Sequence, residues 1–546
     1  MEIKYSEDGK TLIKAIGVEG HFEIPNTVTK IGDDAFEDCD KLTSLGIPAI
    51  VEEVDEGAFV NLDGLDTFVV NEDNPAFTAV DGVLYSKDMR KLIAYPKAKE
   101  QQEYVINDNV EAIGECAFGE NQKLSVVTIP ASLKTIGDYS FCFTSLESIN
   151  VHSDNETFLS LDGVLFTKDL NELIAYPPKK DTNHYQIPSN VKKIRDLAFV
   201  GSVNLIQVEI PNSVTKIGSH AFEACEGLIR IKIPNSLTKI EKSVFADCIN
   251  LNQIEIPNSV TEIGKHAFKN CKELKYIEIP YSVIKIGSFA FEDCANISIM
   301  ELPGTVEEIG TRAFVGCSRL EAFYVDNNNR YFFSKEGVLY YGEDDDYYRE
   351  DDDYYLADDD YDGYVDETKL IAYPSEKKEE NFCIPPKIVS IDDFAFFNCN
   401  GLSSIEIPDS VERIGKSTFS GCKHLTSIKL PESLTRIEMR SFKKCEGLSS
   451  VIIPSKVRTI EDLAFYGCNG LSSVVIPHSA RNIGREIFSK CPNLKEVHCG
   501  VTDLSYVSDD CFGDLTDYTL FVPIGMGYAY RHHPAFKNCK EIKIEY

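Results

Sequence analysis

Leu402-Ser-Ser-Ile405-Glu-Ile407-Pro408-Asp-Ser-Val411-Glu-Arg-Ile414-Gly415-Lys-Ser-Thr-Phe419-Ser-Gly-Cys422 decides the reading of this chain. Its pattern, L-x-x-I-x-I-P-x-x-V-x-x-I-G-x-x-A-F-x-x-C, returns along most of the sequence. The proline slot falls at 211, 234, 257, 280 and 303, and again at 408, 431, 454 and 477, always 23 residues apart. Pro25, Pro48, Pro130, Pro188, Pro385 and Pro523 belong to the same series. Asn71, Asn107, Asp326 and Gly500 take the slot in degenerate copies, with His152 a looser fit. A short exact period is the signature of stacked repeats.

Each repeat reads as a rung. Ile405 and Ile407 alternate with Glu406, which is the period of a half-buried strand. Pro408 ends that strand because it lacks a ladder donor. Val411 and Ile414 form a second apolar segment. Phe419 and Cys422, three apart, suggest a single helical or 3₁₀ turn. One rung cannot bury its own apolar side, but stacked copies can. The Phe series from Phe199 to Phe488 and the Cys series from Cys225 to Cys491, with Cys39, are therefore read as interior columns. A thiol column is easiest to keep reduced inside a cell.

The L-x-x-I-x-I-P and I-G-x-x-A-F-x-x-C runs, as in Leu251-Asn-Gln-Ile-Glu-Ile-Pro257 and Ile263-Gly-Lys-His-Ala-Phe-Lys-Asn-Cys271, resemble the BspA-like leucine-rich repeats. That resemblance implies a leucine-rich-repeat solenoid: a strand-rich right-handed superhelix with strands on the concave side and short helical or 3₁₀ turns on the convex side. At 23 residues per rung, about 20 rungs are counted over residues 1–546 as one solenoid. Members of the family are often surface or secreted proteins that bind host or partner proteins, and they are not enzymes.

The step breaks three times. Asn71 to Asn107 and His152 to Pro188 are each 36 residues, and Asp326 to Pro385 is 59. The breaks hold similar modules: Asp81-Gly-Val-Leu-Tyr85 with Leu92-Ile-Ala-Tyr-Pro96, Asp162-Gly-Val-Leu-Phe166 with Leu173-Ile-Ala-Tyr-Pro177, and Glu336-Gly-Val-Leu-Tyr340 with Leu370-Ile-Ala-Tyr-Pro374. They predict β-hairpin insertions over 72–100, 153–183 and 327–380. Residues 1–24 read as a hairpin-like cap, and 500–546 as degenerate rungs and a closing cap.

The third insertion carries an acidic tip, 343–367, with 14 acids and one Arg; it accounts for −13 of the chain's net −33. A block this charged is expected to be solvated. Within it, Asp358-x-Asp360-x-Asp362-Gly363 has the D-x-D-x-D-G core of a Ca²⁺ loop. Lys369 stands where that loop needs its twelfth-position Glu. Asp358, Asp360 and Asp362 are the candidate metal ligands; no other cofactor is called for.

A net charge of −33 repels phosphate backbones and argues against nucleic acid. No apolar run approaches the ~20 residues needed to span a bilayer. The start, Met1 to Lys10, lacks the apolar stretch of a signal peptide, so a cytoplasmic home is expected, with secretion or the cell surface as the alternative. No metal, nucleophile or nucleotide motif points to catalysis. The leading expectation is a non-enzymatic protein-binding scaffold that takes its ligand, a basic protein being the candidate, on the concave strand face. An adhesin-like surface protein and a Ca²⁺-responsive acidic hairpin are the alternatives. The outward strand positions lie two and four residues before the proline slot. They offer Glu209, Arg230, Lys232, Glu255, Tyr276, Glu278, Glu301, Glu406, Ile452 and Val475. Tyr and Arg are frequent interface anchors.

Overall fold

In the computed structural model of the chain, residues 2–342 and 368–545 are described. The acidic tip and its Asp358, Asp360 and Asp362 lie outside the described residues. The chain forms a strand-rich solenoid of about 22 turns. It divides into two compact units, Met1–Ser259 and Val260–Tyr546.

Within the first unit, strands His184–Gln186, Gln207–Glu209, Arg230–Lys232 and Gln253–Glu255 pair in parallel, with His184, Gln207, Arg230 and Gln253 in register. Val208 and Ile231 point inward and are buried, while their neighbours face out. A second ladder of two-residue strands follows, as at Lys193–Ile194 and Lys216–Ile217, with Ile194 opposite Ile217. Proline joins the two ladders: the Val214 amide donates to Pro211 O at 3.0 Å, closing a tight turn.

The second unit repeats this plan. Strands Asn381–Cys383, Ser404–Glu406 and Ser427–Lys429 form one run of the first ladder. Another run goes from Ser450–Ile452 through Ser473–Ile476, Glu496–Cys499 and Thr519–Pro523 to Glu541–Glu545.

The third side of each turn differs from the sequence-based expectation. Helices among the described residues are confined to Leu504–Tyr506, Gly527–His532 and Pro534–Phe536. The Phe-x-x-Cys segments are not helical or 3₁₀. They carry two left-handed residues four apart, such as His220 (φ 60) and Ala224 (φ 54). A helix would keep its amides within the rung. Here the left-handed residues turn them outward along the stack. His220, Phe222 and Ala224 donate to Lys242, Val244 and Ala246 carbonyls, each at 2.9 Å. Left-handed backbone costs on the order of 1 kcal/mol per residue, which these inter-turn bonds offset. The glycine that precedes this segment is needed for close approach. A Cβ at Gly415 would sit 2.6 Å from Asp393 N on the neighbouring turn.

Inside, rings stack on rings. In the second unit Phe396, Phe419, Phe442, Phe465 and Phe488 are spaced 5.1–5.6 Å centroid to centroid. In the first unit Phe199 lies 4.7 Å from Phe222. The cysteines pack beside them and tie the turns together. Cys225 Sγ donates to Phe199 O at 3.1 Å, and Cys422, Cys445, Cys468 and Cys491 do the same to the preceding Phe carbonyl at 3.0–3.2 Å.

At the three breaks the chain makes antiparallel strands. Phe77–Val80 pairs with Val83–Ser86, which pairs with Lys91–Ala94. Lys91–Ala94 then joins the second ladder in parallel with Ala112–Ile113. Phe158–Leu161, Val164–Thr167 and Glu172–Ala175 follow the same course, as do Phe332–Lys335, Val338–Tyr341 and Lys369–Ala372. An asparagine, buried at the first two breaks and partly buried at the third, anchors each entry. Asn155 Nδ2 donates to Pro130 O and Leu133 O, and its Oδ1 accepts from the Thr157 and Phe158 amides. Asn74 and Asn329 repeat the arrangement.

At the ends, Glu2–Tyr5 pairs antiparallel with Thr11–Ile16. The short helix Gly527–His532 buries Tyr530, whose hydroxyl donates to Val501 O at 2.7 Å.

Removing one ring from the buried column should cost stability on the scale of a core truncation. Phe442→Ala is expected to lose about 3–5 kcal/mol in denaturant unfolding, since both neighbouring rings lose their partner.

Candidate functional site

The outward positions of the first ladder form the candidate site, because the alternation that buries Ile and Val exposes the residues between them. All ten residues picked out from the sequence are exposed.

In the first unit Glu209, Lys232 and Glu255 lie in one register row. Lys232 Nζ is 3.8 Å from Glu255 Oε2, and His184 Nε2 is 3.1 Å from Glu209 Oε1. Arg230 Nε donates to Gln207 Oε1 at 2.8 Å. Acids on this row are thus interleaved with cations, so the repulsion of like charges on facing strands is relieved within the protein.

The second unit differs. Tyr276 and Glu278 belong to a rung outside the named strands. The Tyr276 hydroxyl donates to Glu301 Oε2 at 3.3 Å. Glu301 stands in register with Tyr324. Tyr281 reaches past Gly304 and donates to Asp326 Oδ2 at 2.9 Å. Tyr276, Tyr281 and Tyr324 are 50%, 67% and 55% exposed. The carboxylate of Asp326 is held below its usual range, first by the Asn328 amide and then by Tyr281. Among the described residues no cation pairs with Glu278 or Glu301. Sequence reasoning named Tyr276, Glu278 and Glu301 but missed Tyr281 and Tyr324. Tyr324 occupies an outward slot two residues before Asp326, so its position was readable.

Further along, Glu406 lies opposite Lys429, and Ile452 opposite Val475, which lies opposite His498. His498 stacks on Phe521 at 4.4 Å and meets Glu545 at 2.8 Å. Ile452 is 71% exposed. Cys383 was also missed. It sits two residues before Pro385, and its Sγ donates to Glu406 Oε2 at 3.4 Å.

Among the described residues no group of three or more His, Cys, Asp or Glu is placed to hold a metal ion. The seventeen thiols are all free. Burial pushes Cys317, Cys422 and Cys491 up to about 12. Their thiolates, the oxidisable form, are scarce, so the column does not itself require a reducing compartment. The support it was expected to lend to a cytoplasmic home falls away. No helix among the described residues is long and apolar enough to cross a membrane.

This geometry is that of a leucine-rich-repeat protein. BspA type leucine rich repeat regions match in six copies, at residues 20–79, 94–169, 178–272, 238–336, 372–495 and 413–543, and the chain belongs to that family. Among solved structures it is similar to a leucine rich cell surface protein from Faecalibacterium prausnitzii. That match has 24% identity and a TM-score of 0.53, and covers 78% of this chain and 95% of the other. The pneumococcal vaccine antigen PcpA is 19% identical, with a TM-score of 0.43 and coverage of 86% and 96%. No curated protein matches the chain.

The thiols give a direct check on this surface. Cys383 alone is exposed, and its hydrogen bond to Glu406 raises its pKa. Mild alkylation of the native protein should label Cys383 first. Glu406→Gln should speed that labelling, because the carboxylate that disfavours the thiolate is gone. Fast labelling of the Phe-linked cysteines without unfolding would contradict the packing described.

Proposed function

We propose that the chain is a non-enzymatic protein-binding scaffold that takes its partner on the outward face of the first ladder. One observation carries the reading: in the second unit, Tyr276, Tyr281 and Tyr324 stand exposed beside Glu278, Glu301 and Asp326 on neighbouring turns. Exposed tyrosines supply large contact area at low entropic cost, and they are typical interface anchors. Carboxylates without cationic partners favour a basic surface opposite them. The family membership supports a scaffold, since function in repeat proteins lies on the repeated surface.

A second reading concerns place. The Faecalibacterium relative in fold is described as a cell surface protein, and an adhesin-like display at the surface is the location this reading adopts. Protease shaving of intact cells that release the native protein would support it. Recovery only from the soluble interior would count against it.

The binding reading is tested with a Lys/Arg-rich peptide and its Glu-rich counterpart on the immobilised full chain. The basic peptide should bind and the acidic one should not. Combining Tyr276→Ala, Glu278→Lys and Glu301→Lys should weaken binding at least tenfold, about 1.4 kcal/mol, with the unfolding midpoint nearly unchanged. Equal binding by wild type and variant would overturn the assignment to this face.

A further inference from the structure

The three insertions share a second feature, on the turn side of the solenoid and away from the strand face. Each ends in Leu-Ile-Ala-Tyr-Pro. In the first, Leu92 is in register with Ile113, and Tyr95 stacks on Phe118 at 5.4 Å. Tyr95 thus takes the Phe slot of its turn. Tyr95 follows Leu92 by three positions, but Phe118 follows Ile113 by five. The inserted turn therefore lacks two residues of the left-handed bulge. A notch is left between the turn before it and the turn after it.

Whether the notch is open depends on the side chains at the first left-handed position on either side. At the second insertion these are Tyr139 and Leu197, and the remaining cavity is about 60 Å³. At the third they are Arg312 and Phe394, with the guanidinium 4.0 Å over the ring, and about 40 Å³ remains. At the first insertion the corresponding residues are Gly57, whose backbone is not left-handed, and Cys116 (φ 54). Nothing large fills the gap, and a cavity of about 630 Å³ opens in the first unit. Its floor is apolar: Phe59, Leu62, Leu65, Phe68, Phe77 and Ile93. Phe59 stacks on Phe36 at 6.4 Å and meets Phe68 edge-on at 5.0 Å.

The mouth is acidic. Glu56 and Glu115 both line the cavity; the neighbouring Glu56 raises the Glu115 carboxyl, and Asp33 and Asp138 on nearby turns add to the negative field. Lys91, Lys97, His220 and Lys242 also line the cavity; Asp63 and Glu120 hold the Lys97 ammonium, and His220 meets Glu223 at 2.7 Å. A carboxyl whose ionisation is disfavoured by acidic neighbours would be better matched by a cation placed beside it.

We propose that this notch is a binding site for a small amphiphilic amine, with its apolar body on the aromatic and aliphatic floor and its ammonium between Glu56 and Glu115. The volume falls within the range of ordinary small-molecule pockets. The site is separate from the strand face and does not depend on the scaffold reading.

Calorimetric titration of the full chain tests the site, with dodecylamine, dodecanol and dodecanoate as probes below their micelle concentrations. Dodecylamine should bind at one saturable site, dodecanol at least tenfold more weakly, and dodecanoate not at all. Amine binding should tighten as pH rises from acid to neutral, because protonation of the raised Glu115 carboxyl competes with the ammonium. Cys116→Leu copies the residue that Leu197 places in the second notch, and should weaken the amine at least tenfold. Cys116→Met, filling the notch with a more flexible side chain, should do the same if the first variant folds poorly. Glu56→Gln with Glu115→Gln should abolish the preference for amine over alcohol. No saturable amine binding by the wild type would overturn the proposal. So would unchanged affinity in both notch-filling variants, or alcohol binding as tight as amine binding.

Discussion

The backbone hydrogen bonds that each turn hands to the next are the constraint on which this structure rests. A rung of 23 residues has too little apolar area to fold alone. It is held because its strand amides, its second-ladder amides and its turn-side amides all find carbonyls on a neighbour. The apolar side chains then follow the same vector, so a Phe in one turn must meet a Phe in the next. Phe419 and Phe442, 5.4 Å apart and 11° from parallel, show the result. Cysteine suits its slot because it is small, apolar and still able to donate to the preceding Phe carbonyl. Glycine suits its slot because neighbouring backbones approach too closely there for a Cβ.

Much of this was legible in the sequence because it depends on period and alternation. The Ile405–Glu406–Ile407 alternation, the stop at Pro408 and the recurrence of Phe and Cys state which side faces in. The turn side was not legible. Three-residue spacing between Phe419 and Cys422 fits a helical turn and a left-handed turn equally. The residues that adopt positive φ, such as Ser417 and Arg440, carry no glycine signature. The asparagines at 74, 155 and 329 were visible as Asn-x-x-Phe runs at each break, but their task became clear only when their carbonyl partners were placed. The notch depends on a two-residue shortening that a net step of 36 conceals.

The same distinction holds for surfaces. Exposure at Glu209, Tyr276 or Ile452 follows from alternation, so those positions could be named in advance. What surrounds each one depends on residues 23 or 46 positions away. Thus Glu209 and Glu255 turn out to flank Lys232, while Tyr276 and Glu301 pair with each other and stand near Tyr324. The repeat provides a uniform frame, and single departures from it, such as a tyrosine on the strand face or a glycine beside a shortened turn, create local chemistry. The scaffold role and the amine notch draw on different departures of this kind.

Amide hydrogen exchange on the native full chain tests the central claim most directly. The amides of Phe222, Phe419 and Phe442, which donate to Val244, Ser441 and Ala464 on the next turn, sit in segments with no helix. If turns are bound to their neighbours on all three sides, these amides should be protected about as strongly as those of the buried strand residues Val208 and Ile405. Exchange at the rate of an open loop would contradict the account and leave only two pairing sides.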